Sequence, residues 1–170
     1  MADFTKINES NIGKLFDPSV LPKNSTEKEI RAGAKDAVKY NCMSFVVSSP
    51  YYLPAVCEEL EGSDVLPCSC IDFPFGASLG VVKAYETEWG VKRGAKAFDL
   101  VMNIGALQDG KFEVVRQELL DFKKAAQGAV KKVIMDIEFL TDQQIADGTK
   151  LIVETEMDYA KTSSVSTISL

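Results

Sequence analysis

Ala97-Phe98-Asp99-Leu100-Val101-Met102-Asn103-Ile104 is the stretch on which the fold turns. Its apolar residues run nearly without a break instead of alternating with polar ones. That pattern suits a strand covered on both faces, and hence a parallel sheet with crossover helices. Working outward, the segment 111–126 carries Phe112, Val115, Leu119, Phe122 and Ala126 at helical spacing. On the other side, 78–91 reads as a helix with Val82, Tyr85 and Trp89 along one face.

The same alternation extends to both ends of the chain. Strands are expected over 43–48, 68–73, 132–139 and 157–164, with a weak first strand in Leu15-Phe16-Asp17 and Val20-Leu21. Helices are expected over 25–40, from Pro50 to Gly62, and from Thr141 to about Glu154. Thr26-x-x-Glu29 and Thr141-x-x-Gln144 are capping boxes, which satisfy the free N–H groups of a first helical turn. Six β-α steps result, a spacing typical of βαβ units. Two architectures accommodate them. One is a (β/α)8 TIM barrel, which needs eight units; the other is an open doubly wound sheet. No G-x-G-x-x-G follows a strand, so a dinucleotide site has no support.

Composition narrows the function. The chain has 170 residues, 46% hydrophobic and 26% charged, as expected for one soluble domain over residues 1–170. The net charge is −6 and the basic residues are dispersed, which argues against a nucleic-acid partner. No apolar run approaches the roughly 18 residues of a membrane span. Met1-Ala2-Asp3-Phe4 does not open a secretory signal, so a cytoplasmic location is expected. The chain has no histidine, which excludes a Ser-His-Asp arrangement and leaves the chemistry to Lys, Asp, Glu, Tyr or Cys. Cys42, Cys57, Cys68 and Cys70 form no CxxC pair and read as small buried residues in a reducing compartment.

Three ionisable residues fall inside expected strands: Asp99, Asp136 and Lys161. A charge there is costly unless it is paired. For Lys161 two readings stay open. Its stem packs against apolar neighbours with the amine in water; or the amine is poorly solvated, favouring the neutral form that attacks a carbonyl. Asp99 is either a strand-end carboxylate paired with a lysine or a proton relay for such an amine.

The motifs taken together resemble one family. Met157-Asp158-Tyr159-Ala160-Lys161-Thr162-Ser163-Ser164 is similar to G-A-D-F-V-K-T-S-T, the Schiff-base signature of the deoxyribose-phosphate aldolases. Phe98-Asp99-Leu100-Val101-Met102-Asn103-Ile104-Gly105-Ala106-Leu107 resembles that family's I-D-M-V-I-N-I-G-A-L. Ile71-Asp72-Phe73-Pro74-Phe75-Gly76-Ala77, Val82-Lys83-Ala84-Tyr85-Glu86 and Lys132-Val133-Ile134-Met135-Asp136 resemble I-G-F-P-L-G-A, V-K-A-F-E and K-V-I-I-E. Lys14-Leu15-Phe16-Asp17-Pro18-Ser19-Val20-Leu21 is similar to K-L-I-D-H-T-L-L. The resemblance runs in register over about 11–164.

It implies a (β/α)8 barrel and a class I aldolase without metal or cofactor, acting in deoxyribonucleotide catabolism. The reaction implied is reversible cleavage of 2-deoxy-D-ribose 5-phosphate to D-glyceraldehyde 3-phosphate and acetaldehyde. The resemblance assigns Lys161 as the Schiff-base amine and Asp99 as the proton relay. It assigns Asp17, Ser19, Lys132 and Ser164 to substrate binding. It also implies a homo-oligomer, expected as a dimer. The family carries two further β-α units, with a second lysine and phosphate-cradling loops. This chain holds about six units, so an incomplete or open barrel is expected. It departs at Asp72 and Val165, where the family has glycine, and at Asp136, where it has Glu. A fragment, a barrel completed by a partner, and a diverged relative that binds, self-associates or uses unphosphorylated aldehydes are all compatible with this.

Overall fold

The computed structural model describes residues 6–9 and 11–164; Val165 lies outside them. Six strands form one sheet: β1 (Ser19–Val20), β2 (Ser44–Val47), β3 (Leu66–Ile71), β4 (Ala97–Val101), β5 (Val130–Ile134) and β6 (Tyr159–Lys161). Every neighbouring pair is parallel. The strands lie in sequence order, β1 to β6, without a reversal. A doubly wound sheet reverses its order at a switch point. The uninterrupted order therefore decides between the two architectures: this is barrel-type winding.

The helices are α1 (Glu27–Lys39), α2 (Leu53–Leu60), α3 (Gly80–Lys92), α4 (Ile104–Gln108), α5 (Phe112–Ala125) and α6 (Asp142–Glu154). Both expected capping boxes are formed. Thr26 caps α1 with Glu29 reaching back, and Thr141 caps α6 with Gln144 doing the same. Strand residues then divide by period two. Phe45, Val47, Ile71, Phe98, Leu100 and Val133 pack with helix residues such as Ile30, Val56, Leu119, Phe122 and Leu151 in the main core. Val46, Cys68, Cys70 and Ala97 form a small cluster on the opposite face, joined by Leu21 and Phe73.

That opposite face is concave. Lys132 on β5 donates to Asp17, just before β1, at 2.5 Å. In a flat sheet, four strand spacings of about 4.8 Å would hold β1 and β5 roughly 19 Å apart, beyond the reach of a lysine. The sheet must curl until its first and fifth strands face each other.

Several elements differ from expectation. Leu15 belongs to a 3-10 turn (Ile12–Leu15), and the first strand is only Ser19–Val20. The fourth strand ends at Val101, because Asn103 accepts from the Ala106 N–H and starts α4. The fifth ends at Ile134, where Asp136 turns into the left-handed region at φ 44° and a 3-10 turn, Ile137–Phe139, follows. Most informative is α3. Val82, Tyr85 and Trp89 do share a face, but it is exposed, and the buried face carries Lys83, Thr87 and Gly90. A Cβ on Gly90 would stand 2.4 Å from the Phe98 ring, so the glycine lets α3 lie close on β4.

Candidate active site

Alternation fixes which side chains enter the concavity. Asp99 pairs in register with Cys70 on one side and Lys132 on the other. Lys161 stands opposite Ile134, two residues further along β5 than Lys132. Lys161 ends β6, on the side where barrel enzymes place their chemistry, and Asp99 and Lys132 sit at the middle of β4 and β5.

The charged groups form a continuous chain. The Lys161 ammonium is paired with one oxygen of Asp99. The other Asp99 oxygen lies 3.0 Å from Lys132 Nζ and accepts from the Cys68 thiol at 3.5 Å. Lys132 donates to Asp17 Oδ2, whose second oxygen accepts from Ser44 Oγ at 2.7 Å. Ser44 Oγ also lies 3.3 Å from Lys132. Two carboxylates thus share two ammonium groups across β1, β4, β5 and β6.

The two lysines differ in access. The Lys161 side chain is 30% exposed and that of Lys132 only 2%. An incoming carbonyl can therefore reach Lys161, while Lys132 serves as a fixed interior cation. Burial opposes the charge of Lys132, but the Asp99 and Asp17 carboxylates outweigh it and raise its pKa above the ordinary lysine value. Burial likewise works against ionised Asp17, yet the Lys132 charge and hydrogen bonds from Lys132 and Ser44 hold its carboxyl below the usual range. Burial, and then Asp99, push the Cys68 and Cys70 thiols up, so these line the site as neutral groups.

Of the six residues singled out by sequence, four meet here: Lys161, Asp99, Asp17 and Lys132. Ser19 is exposed on β1, in register with Val46, and stands outside the charged chain. Ser164 is buried, with its N–H donated to Asp136 Oδ1 at 2.5 Å. Asp136 thus anchors the segment after β6; so does the Ile137 N–H, which donates to the Thr162 carbonyl at 2.9 Å. Sequence reasoning missed Ser44 and Cys68 as members of the site, although the period-two pattern of 44–47 and 66–71 could have placed them on its face. The resemblance puts a second lysine in the further β-α units; here Lys132, on the neighbouring strand β5, is the second lysine of the charged chain.

Fold and site together define the class: a (β/α)-barrel chain with an amine–carboxylate pair on its inner wall. No family model matches the sequence. The chain is 38% identical over 154 residues to the deoxyribose-phosphate aldolase of Clostridium tetani, an alignment spanning 90% of this chain and 71% of that one. Its fold matches a Coccidioides immitis structure with a TM-score of 0.89 at 27% identity, covering 93% of this chain and 62% of that one. It also matches the deoxyribose phosphate aldolase of Aeropyrum pernix, described as tetrameric, with a TM-score of 0.85 at 25% identity, covering 94% and 67%. The chain belongs to the deoxyribose-phosphate aldolase family, and it spans roughly two thirds of the length of these relatives.

Proposed function

We propose that this chain is a class I aldolase in which Lys161 forms the Schiff base and Asp99 moves the protons. The observation that carries this reading is the accessible Lys161 amine paired with the buried Asp99 carboxylate on the inner wall. The Lys161 ammonium gives a proton to Asp99; the neutral Nζ attacks the aldehyde carbon, and Asp99 returns the proton to the carbonyl oxygen, giving a carbinolamine. Asp99 then takes a proton from the carbinolamine nitrogen and passes it to the departing hydroxyl, and loss of water leaves an iminium. In the cleavage direction the iminium forms at C1 of 2-deoxy-D-ribose 5-phosphate. Asp99 removes the proton of the C3 hydroxyl, the C2–C3 electron pair flows into the iminium, and D-glyceraldehyde 3-phosphate leaves. The enamine that remains is protonated at carbon and hydrolysed to acetaldehyde.

Lys132 balances Asp99 and Asp17 throughout, which keeps the interior charge compensated while Asp99 gains and loses its proton. Asp17 orients Lys132, and Asp17, Ser19 and Ser164 are assigned to substrate binding in the same proposal. No metal or cofactor enters this scheme. A homodimer and a cytoplasmic location belong to the same proposal. No helix among the described residues is long and apolar enough to cross a membrane. Release of acetaldehyde from 2-deoxy-D-ribose 5-phosphate, followed with an alcohol dehydrogenase couple, tests the reaction. Turnover by the wild type that Lys161→Ala lacks is the expected result; equal rates in both would remove Lys161 from the mechanism.

A further inference from the structure

A second group of buried charges lies behind the ends of β3 and β4, outside the site described above. Lys83 on α3 is fully buried. Its ammonium donates to the Gly76 carbonyl at 2.8 Å, the Val101 carbonyl at 3.3 Å and Glu118 Oε2 at 2.9 Å. Asp72 Oδ2 lies 3.6 Å away. Glu118, on α5, accepts from Asn103 Nδ2 with its other oxygen at 3.3 Å. Asp72 holds a left-handed backbone at φ 55°. Its carboxylate accepts from the Ser78 N–H at 2.8 Å and the Ser78 hydroxyl at 2.6 Å, and its own N–H donates to Glu86 at 2.8 Å.

Apolar residues of similar volume often stabilise a core as well as a buried ion pair does, so stability alone does not account for Lys83. What the ammonium joins is more telling. The carbonyls of Gly76 and Val101 belong to the loop 72–78 and to the end of the strand that bears Asp99. That loop is pressed onto the continuation of β4: a Cβ on Gly76 would stand 2.4 Å from the Met102 carbonyl oxygen. The loop also carries Phe73, which packs on the inner cluster containing Cys70. Cys70 is the register partner of Asp99.

We propose that Lys83 is a positioning residue: its ammonium, with Glu118 as counter-ion, clamps the loop 72–78 to the end of β4 and so holds Phe73 as a wall of the carbonyl pocket. The proposal rests on the Schiff-base reading of Lys161. Lys83 touches no reacting atom. It acts through Phe73 on how well an aldehyde is held, and leaves the chemistry of Lys161 and Asp99 in place.

The test compares the wild type with Lys83→Met and with the double variant Lys83→Met/Glu118→Gln, which removes both charges of the closer pair, while Asp72 keeps its hydrogen bonds from Ser78. Borohydride trapping on Lys161 is measured against acetaldehyde concentration, and amide hydrogen exchange is measured along the chain. In the double variant the half-saturating acetaldehyde concentration is expected to rise about tenfold, with the maximal trapping rate kept within about twofold, the pattern of lost binding without lost chemistry. Exchange is expected to rise selectively over 72–79 and 102–106. An unchanged half-saturation, or exchange that rises uniformly over the whole sheet, would overturn the proposal. If the wild type forms no adduct, the Schiff-base reading itself fails, and the exchange comparison alone then decides whether Lys83 clamps the loop.

Discussion

Asp17, Asp99, Lys132 and Lys161 are coupled, so removing one leaves another uncompensated. Lys132→Met strips the buried partner from both Asp17 and Asp99. It is expected to cost about 3–5 kcal/mol, the usual price of an orphaned buried charge, read as a lower urea midpoint. Under the proposed mechanism Asp99→Asn keeps the shape but loses the proton carrier; a loss of about 10²–10⁴ in turnover is expected, with folding retained. Asp17 supplies a pH test. Its folded pKa lies below its unfolded value of about 3.9, so its contribution to stability is present above that pH and is lost as pH falls through the folded value. Asp17→Asn should therefore flatten the acid limb of a stability–pH curve; an unchanged limb would show that the Lys132 pair contributes nothing there. The lysine and aspartate of the site were legible from their signatures. The partner role of Lys132 was not, because it depends on β5 curling round to face β1, a relation no local pattern encodes.

Among the elements, the helices were read as such, α3 included, but which face of α3 is buried was not legible. Thr26 and Glu29, or Thr141 and Gln144, are local signals with a local cause, and each forms as its spacing requires. Thr141→Ala is expected to cost about 1 kcal/mol of stability by thermal or urea unfolding. Along α3 Val82, Tyr85 and Trp89 share one face as read; apolar periodicity alone would bury it, yet Lys83, Thr87 and Gly90 face inward. The inward face is chosen by the clamp at Lys83 and by the close approach of Gly90 to Phe98, and tertiary contacts of this kind outrank periodicity. Two substitutions separate these readings. Trp89→Ser should change stability by no more than about 0.5 kcal/mol, whereas Gly90→Ala, driven against the Phe98 ring, should cost about 1–3 kcal/mol. The reverse ranking would restore the periodicity reading. Strand ends were misplaced for a related reason. Asn103 and Asp136 redirect the backbone within runs that composition alone continues as strand.

At the scale of the whole molecule, the continuous apolar strands announced a parallel sheet, but left barrel and doubly wound architectures open. Strand order settles that choice, and the curl that brings Lys132 to Asp17 turns six sequential strands into a concave wall. The wall divides by chemistry. Val46, Cys68, Cys70, Ala97 and Phe73 make an apolar side, while Asp17, Asp99, Lys132 and Lys161 make a charged one. In the proposed reaction a small aldehyde would set its alkyl part against the first and its carbonyl against the second. The most direct test of this account is borohydride reduction in the presence of acetaldehyde, followed by intact-mass analysis and peptide mapping of wild type and Lys161→Ala. The account predicts one reduced adduct, on Lys161, that the variant lacks. An adduct on Lys132, adducts scattered over surface lysines, or none at all would contradict it.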